Sequence, residues 1–307
     1  MNGPIQYLMI MNPCTKHCLL SLCLLLALPC LRADDYAPIP SDTVEYLVAN
    51  ASVCPVRENP SYGAEQATQL LFGEVCEFIE RHRGWTKIRN TMDGQVGWVS
   101  SSMLTPTLTP PMANAVVVTP MATAIPMNGE PPLLLTLGTR LANYAHGVFE
   151  VLGQHYLIDS TCVRQEAKGE RREAMRRETV CAIAQTLLNT PYLWGGKNAM
   201  GLDCSGFTQV VYAAIGVNIL RNAREQITQG EQVNRLADAL PGDLAFFGYT
   251  DRNTQAIKIT HVGLLLSPTE IIHCAGGRVH VDRIDTQGIY LPDGTMTHHL
   301  IQIRRYL

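Results

Sequence analysis

Residues 202–216 read LDCSGFTQVVYAAIG, and this stretch decides how the C-terminal part of the chain folds. After the cysteine, apolar side chains recur at intervals of three and four residues, the spacing of a helix with one buried face. These apolar residues are Phe207, Val210, Val211, Ala214 and Ile215. Gly216 follows them as a typical C-terminal stop. The pattern predicts a helix whose first turn contains Cys204.

A cysteine at a helix start has more than one explanation. Free N–H groups and the positive end of the helix dipole favour a thiolate there. Cys204 also lies three residues before Phe207, at the start of the apolar stripe, so packing in the core is the alternative explanation. The loop before it, PYLWGGKNAMG at 191–201, contains glycines that permit close approach of another molecule. We therefore predict that Cys204 is a nucleophile.

Two histidines in a predicted hairpin are candidates for the base that such a nucleophile needs. The hairpin reads KITHVGLLL-SPT-EIIHCAGG over 258–277. A three-residue turn at Ser267–Thr269 makes His261 and His273 diagonal neighbours on one face, whereas a two-residue turn separates them. A zinc site built from Cys204 and both histidines is the rival chemistry, but neither HExxH nor CxxC is present. We predict Cys/His catalysis with no metal and no other cofactor.

Short alternating runs indicate β structure over residues 44–162. Examples are VCEFI at 75–79, WTKIR at 85–89 and VGWVS at 96–100, with turn signals at Arg83-Gly84 and Asp93-Gly94. After residue 168 the apolar residues recur first at helical spacing and then in strand-like runs, which predicts an α+β domain.

A weak internal repeat runs through the β region. The glycines of the first unit are followed by those of a second, in the order Gly73, Gly84, Gly94 and Gly138, Gly147, Gly153. The proline-rich TPTLTPP at 105–111 joins the two units. Two copies of a small barrel are the simplest account, and one larger irregular β domain is the alternative.

The N-terminal residues have the features of an export signal. A positive n-region precedes the apolar run at 19–29, and cleavage after Ala33 makes 1–33 a signal peptide. Cys30 is a second option, as a site of cleavage and lipid attachment. No other segment has the length of a membrane span. A net charge of −3 without a basic patch argues against a nucleic-acid partner.

Export permits disulfides, but the cysteine spacing is not that of a disulfide scaffold. Six cysteines follow the predicted signal, and these are Cys54, Cys76, Cys162, Cys181, Cys204 and Cys274. If Cys204 stays free, five are left, and an odd number cannot all pair. We expect buried free thiols for most of them. Cys54 with Cys76 is the pair we consider for a bridge.

The motifs PYLWGG, GLDCSGF, PGDLAFF, THVGLLL and IIHCAGG, in that order, resemble the NlpC-type cell-wall peptidases, a papain-like cysteine peptidase family. The resemblance covers about residues 170–307. It implies that Cys204 is the nucleophile, His261 the base and His273 the third, orienting member. The domains before it resemble bacterial SH3-like domains, which gives 44–105 and 112–162 as two small β-barrels.

The same resemblance implies roles for other residues around the cleft. Tyr192 and Trp194 match aromatic residues that line it, and Asp203 and Ser205 flank the nucleophile. The backbone N–H of Cys204, with the Tyr192 hydroxyl, then forms the oxyanion hole. Ala223 stands where the family more often has a serine, in the stretch RNAREQ.

With its SH3-like domains, the chain is similar to the γ-D-glutamyl-L-diamino-acid endopeptidases of murein recycling. The similarity implies peptidoglycan-derived peptides as substrates and a carboxylate that holds a free N-terminal L-alanine. We expect Glu65 in that role, with Asp203 as the alternative. We also expect an ion pair with His261 to lower the Cys204 pKa below about 8.5. An amidase or acyltransferase on the same scaffold, and a non-catalytic wall-binding protein, are the rival functions.

Overall fold

The computed structural model describes residues 46–165 and 173–307. The predicted signal peptide over 1–33, with Ala33 and Cys30, lies outside the described residues. All of the described residues belong to a single structural unit. Among them, no helix is long and apolar enough to cross a membrane.

The first alternating runs form a seven-stranded antiparallel sheet, which we call the N-terminal β domain (46–107). Its strands are β1 Tyr46–Ala49, β2 Val53–Arg57, β3 Gln66–Leu71, β4 Val75–His82, β5 Trp85–Asn90, β6 Val96–Ser100 and β7 Leu104–Thr107. They are hydrogen-bonded in the order β3-β2-β6-β5-β4-β1-β7. The turn predicted at Arg83-Gly84 is confirmed, because both residues have positive φ, 43° and 79°.

The central β domain (113–165) repeats this strand order with one interruption. Its strands are β8 Ala113–Val117, β9 Met121–Pro126, β10 Leu133–Thr136, β11 Arg140–Ala142, β12 Val148–Val151, β13 Gln154–Ile158 and β14 Val163–Gln165. They form two sheets, β10-β9-β13-β12 and β11-β8-β14. When β8 to β14 are matched in sequence order to β1 to β7, the two domains have the same strand order. The difference is that β12 and β11 are not hydrogen-bonded to each other, which divides the sheet in two. The six glycines of the predicted repeat all have positive φ, so the same turns recur in both units.

The C-terminal domain (173–307) packs helices against an antiparallel sheet. Its helices are α1 Glu173–Thr186, α2 Cys204–Ala214 and α3 Ala223–Gln226. Its strands are β15 Lys197–Asn198, β16 Gly201–Leu202, β17 Glu231–Val233, β18 Leu244–Thr250, β19 Ile257–Ser267, β20 Glu270–Ala275, β21 Arg278–Ile284, β22 Gly288–Tyr290 and β23 Met296–Arg305. The large sheet has the order β17-β23-β18-β19-β20-β21-β22, and β22 also pairs with β23. Short 3-10 turns lie at Ser101–Met103, Ser160–Cys162 and Leu236–Asp238.

Helix α2 lies at the centre of the C-terminal domain. It begins at Cys204, so the cysteine lies in the first turn as predicted, and the whole apolar stripe from Phe207 to Ile215 is buried. Leu137 of the central β domain belongs to the same core cluster. Its neighbour Gly138 lies so close to the helix that an added Cβ would meet Val210 at 3.4 Å. The central β domain therefore supports the helix that carries the nucleophile candidate.

The β19–β20 hairpin has the predicted register but a different turn. The turn holds two residues, Pro268 and Thr269, instead of the three we expected. A bulge at Leu266 adds the extra residue to β19, so the pairs beyond it match those that a three-residue turn predicts. The bulge restores the parity that a two-residue turn alone would reverse. His261 and His273 consequently lie on one face and in contact.

Buried polar side chains join the N-terminal β domain to the C-terminal domain. Lys197 Nζ donates to both carboxylate oxygens of Glu74, at 2.7 and 3.0 Å, and both side chains are 3% exposed. Asn90 Nδ2 donates to the same carboxylate at 3.1 Å. Gln69 Oε1 accepts from the Lys197 backbone N–H at 2.7 Å and from Asn198 Nδ2 at 2.8 Å. Because an unpaired buried charge is costly, this network favours one arrangement of the two domains.

Cys54 and Cys76 are free thiols, so the bridge considered from the sequence is not formed. The two residues lie on β2 and β4, which are separated in the sheet by β6 and β5. Both side chains are completely buried in the core of the N-terminal β domain. Burial raises the pKa of both thiols, that of Cys54 to about 11, so they act as small apolar side chains.

Lys197→Met is expected to destabilise the protein by about 3 kcal/mol, because it leaves the buried Glu74 carboxylate without its cation. The double variant Lys197→Met/Glu74→Gln should lose less, since it removes the charge as well as the partner. Equilibrium urea unfolding of the wild type and both variants measures the difference. A double variant that is less stable than Lys197→Met would contradict this coupling.

Candidate active site

Cys204, the nucleophile candidate, is the first residue of α2. Asp203 caps the helix, since its Oδ1 accepts the backbone N–H of Gly206 at 2.6 Å. Gly206 is pressed against the preceding loop, where an added Cβ would lie 2.1 Å from the carbonyl oxygen of Gly196. Only a glycine permits this contact, which fixes where the helix starts and therefore where the sulfur lies.

Arg221 holds this helix start in place, although no sequence pattern indicates its role. Its side chain is 1% exposed, and it binds the two Asp203 oxygens at 2.9 and 2.7 Å and Ser205 Oγ at 2.9 Å. Its Nε also donates to Thr68 Oγ1 of the N-terminal β domain at 2.7 Å. Both Asp203 oxygens are thus engaged inside the protein. Asp203 also lines the cavity that contains Cys204, and its role as the alternative partner for a substrate ammonium stays a prediction.

His261 and His273 form the start of a chain of hydrogen bonds that ends at a carboxylate. His261 Nε2 lies 2.7 Å from His273 Nδ1, and His273 Nε2 lies 3.1 Å from Asp282 Oδ2. The hydrogen bond from His273 lowers the pKa of Asp282, so this residue, which the sequence analysis missed, is an ionised acceptor. His273 must then carry its proton on Nε2 and accept at Nδ1. His261 consequently donates from Nε2, which leaves its Nδ1 lone pair free to act as a base.

Two further histidines that were not predicted surround this pair. The His298 ring centroid lies 4.3 Å from that of His261, and His280 Nε2 lies 3.1 Å from Asp282 Oδ2. Burial lowers the pKa of His261 well below its usual range, and positive charge on His273, His298 or His280 would lower it further. His261 is therefore neutral at pH 7 and can accept a proton.

Burial and, to a smaller extent, the negative charge of Asp203 raise the pKa of the Cys204 thiol to about 11. A backbone hydrogen bond with Val262 and the charge of Arg221 lower it by less. The expected lowering of the thiol pKa is therefore wrong, because desolvation outweighs the backbone hydrogen bonds and the charge of Arg221. The resting protein has a neutral thiol, and His261, a neutral base that lines one cavity together with Cys204, can remove its proton as the sulfur attacks.

A cavity of about 780 Å³ brings the predicted site residues together. All of them except His273 line it, namely Cys204, His261, Tyr192, Trp194, Asp203, Ser205 and Glu65. His273 lies behind His261 and is 1% exposed. The N-terminal β domain contributes Glu58, Glu65 and Gln95 to the lining. The cavity is thus formed by two domains together, with the cysteine from the C-terminal domain and two exposed carboxylates from the N-terminal β domain.

Tyr192 and Trp194 contribute to the cavity in different ways. Burial raises the pKa of Tyr192 well above its usual range, and negative charge on Cys204 or Asp203 raises it further. Its hydroxyl therefore keeps its proton and remains a hydrogen-bond donor at neutral pH. Trp194 is 61% exposed, and its carbonyl oxygen accepts from Gln66 Nε2 at 3.0 Å. Its indole is free to pack against a bound molecule.

A cysteine at a helix start, beside a neutral imidazole held in one tautomer, defines the class of cysteine hydrolases. The profile of the NlpC/P60 family matches residues 189–291, and that of the bacterial dipeptidyl-peptidase SH3 domain matches 56–104. The gamma-D-glutamyl-L-lysine dipeptidyl-peptidase of Bacillus subtilis is 30% identical over 220 residues, which cover 67% of this chain and 71% of that one. The chain belongs to the NlpC/P60 family, as its motif order predicted, and an SH3-like domain precedes its catalytic domain.

Other known proteins are similar over different parts of the chain. Dipeptidyl-peptidase 6 of Lysinibacillus sphaericus is 36% identical over 115 residues, which cover 36% of this chain and 38% of that protein. The crystal structure of an NlpC/P60 family protein from Bacillus cereus superposes with a TM-score of 0.72 at 20% sequence identity. The superposition covers 85% of this chain and 99% of that one, so the two share the same fold through the β domains and the C-terminal domain.

The alkylation rate of Cys204 should rise late with pH, because the pKa of its thiol is raised to about 11. Iodoacetamide labelling between pH 6 and pH 11, with the peptide that contains Cys204 quantified by mass spectrometry, measures this rate free of signal from other thiols. A denatured sample is the control and should show a rise near the unperturbed value of about 8.5. A native rise below that value would instead establish a resting ion pair with His261.

Proposed function

We propose that the protein is a cysteine endopeptidase that cleaves the bond between γ-D-glutamate and the diamino acid of peptidoglycan stem peptides. We further propose that the substrate is a peptide with a free N-terminal L-alanine. The names of two relatives, gamma-D-glutamyl-L-lysine dipeptidyl-peptidase and dipeptidyl-peptidase 6, support this substrate class. A dipeptidyl-peptidase removes two residues from an amino end. Its site must therefore bind that end at a fixed distance from the nucleophile.

The observation that carries the proposal is the shared cavity. It holds Cys204 and His261 together with Glu65 and Glu58, two exposed carboxylates on the N-terminal β domain. An ammonium group that leaves water needs a carboxylate partner, because an unpaired charge is costly. A carboxylate at a fixed place in the cavity that holds the cysteine favours a peptide that begins close to the scissile bond. Glu65 remains our candidate for this partner.

The proposed reaction uses the residues in a definite order. His261 Nδ1 takes the thiol proton of Cys204 as the sulfur attacks the carbonyl carbon. The backbone N–H of Cys204 and the Tyr192 hydroxyl donate to the oxyanion that forms. The imidazolium of His261 then protonates the leaving amine, and water hydrolyses the thioester. Burial and any positive charge on the neighbouring histidines destabilise that imidazolium. The chain of hydrogen bonds from His261 through His273 to Asp282 stabilises it.

We also infer that the central β domain is a second SH3-like domain. Its support is the strand order, which repeats that of the N-terminal β domain with one interruption, and the six positive-φ glycines at matching turns. We propose that the protein is exported to the cell envelope, where such peptides arise. The relatives named as dipeptidyl-peptidases and probable endopeptidases support a peptidase over an amidase, an acyltransferase or a non-catalytic binding protein.

Mass spectrometry of the products from a defined L-Ala-γ-D-Glu-diamino-acid peptide tests this function. We expect cleavage between D-glutamate and the diamino acid by the wild type, and no product from Cys204→Ala. The same peptide with an acetylated N-terminus should be cleaved at least about tenfold more slowly, since it cannot form the ion pair, a loss of about 1.4 kcal/mol.

Glu65→Gln should lower kcat/KM on the free peptide about tenfold and leave the acetylated peptide almost unchanged. Glu130→Gln, at an exposed glutamate of the central β domain, is the matched control and should behave as wild type. Equal rates of the wild type on free and acetylated peptides, or efficient release of peptides from intact peptidoglycan, would overturn the amino-end requirement. Transfer of the acyl group to an added amine instead of water would favour the acyltransferase.

A further inference from the structure

A second cluster of polar side chains lies behind the catalytic pair. His273, His280 and Asp282 each offer one ligand-type atom, and these atoms all lie within 4.8 Å of one another. His273 Nε2 and His280 Nε2 are each 3.1 Å from Asp282 Oδ2. His273 and His280 are directly paired across β20 and β21, and Asp282 lies two residues further along β21 on the same face. Two rigid strands therefore hold the three groups together.

The spacing suits a tetrahedral divalent ion. Bonds of about 2.0–2.2 Å from zinc to histidine nitrogen and carboxylate oxygen separate neighbouring ligand atoms by roughly 3.3 Å. The two measured separations of 3.1 Å are close to this. Two histidines and one carboxylate, with a fourth position for water, are a common zinc ligand set. His280 is the accessible member, with a side chain that is 26% exposed, so an ion can enter from its side.

The hydrogen bonds of His280 favour a cation in the cluster. Its Nδ1 donates to the backbone carbonyl of Arg278 at 3.0 Å, so the neutral ring has its lone pair on Nε2. That lone pair faces Asp282 Oδ2 at 3.1 Å, and two acceptor atoms at this distance are stable together only with a proton or a metal ion between them. A histidine that ligates a metal commonly donates its other N–H to a backbone carbonyl. His280 already has this arrangement.

We propose that His273, His280 and Asp282 form a binding site for a zinc-type divalent ion, and that the bound ion inhibits the hydrolase by reversing the catalytic hydrogen bond. A neutral imidazole with metal on Nε2 carries its proton on Nδ1. His273 Nδ1 then donates to His261 Nε2, where it previously accepted. His261 must hold its own proton on Nδ1, the nitrogen that served as the base. Each ring keeps one proton, and the only proton lost is any that His280 carried.

This mechanism separates the inhibitory site from the substrate cavity. The ion lies on the far side of His273, a residue that does not line the cavity. We therefore expect zinc to lower kcat and to leave KM almost unchanged. Zinc bound directly to the Cys204 sulfur would instead compete with substrate and raise the apparent KM. The two modes of inhibition are distinguishable on one enzyme preparation.

Calorimetric titration of the full chain with zinc chloride tests the site without any assumption about activity. The Cys204→Ala protein removes the competing thiol and should still bind the ion. Adding His280→Gln to that protein should weaken binding at least about tenfold, whereas adding His155→Gln, at an exposed histidine of the central β domain, should not. Circular dichroism of each variant verifies that the fold is intact. Loss of zinc binding in Cys204→Ala, or equal affinity with and without His280→Gln, would overturn the site.

The inhibition itself rests on the proposed peptidase activity and is measured separately. In otherwise wild-type protein, His280→Gln should require at least about tenfold more zinc for half-inhibition, measured relative to the variant's own turnover without zinc. Zinc that binds through His280 but does not lower kcat would overturn the tautomer mechanism while the site stands. A protein that binds zinc as predicted but cleaves no stem peptide would point to a failure of the proposed function alone.

Discussion

The buried ion pair between Arg221 and Asp203 is the interaction on which the rest of the site depends. One guanidinium binds the carboxylate that caps α2, the serine beside the nucleophile and a threonine on the N-terminal β domain. A buried charge pair of this kind contributes little net stability, but breaking it is expensive, so it strongly favours one geometry. Together with the Lys197–Glu74 pair, it fixes the place of the cysteine and the position of the domain opposite it.

A second carboxylate, Asp282, controls the base through hydrogen bonds. Asp282 is ionised, it sets the tautomer of His273, and His273 sets that of His261. Because His261 is buried, Cys204 is partly buried and both are neutral at rest, charge develops only during the reaction, when the hydrogen-bond chain can stabilise it. The far end of that chain coincides with the cluster that we propose as a metal site. A single carboxylate therefore both supports the base and exposes it to inhibition.

The sequence predicted the features that follow from local periodicity and motif order. It located the start of α2 at Cys204, the shared face of the two histidines and the repeated turns of the β domains. It did not predict Arg221 or Asp282, because a buried charge partner is decided by tertiary contact and neither residue carries a local signal. The predicted lowering of the Cys204 pKa was wrong for a related reason. The sequence indicates the helix start, but it does not indicate how far the thiol there is removed from water. The Leu266 bulge gave the right register through a turn that we had not expected.

The tautomers of His261 and His273 are the most direct measure of how this site is organised. Nitrogen-15 NMR of the ring nitrogens, in protein labelled at histidine, distinguishes a protonated nitrogen from one with a lone pair and from the charged ring. At neutral pH and without metal, both rings should be uncharged with the proton on Nε2, and Asp282→Ala should release this preference. A wild-type His261 that carries its proton on Nδ1, or that is an imidazolium at pH 7, would contradict the carboxylate-controlled base.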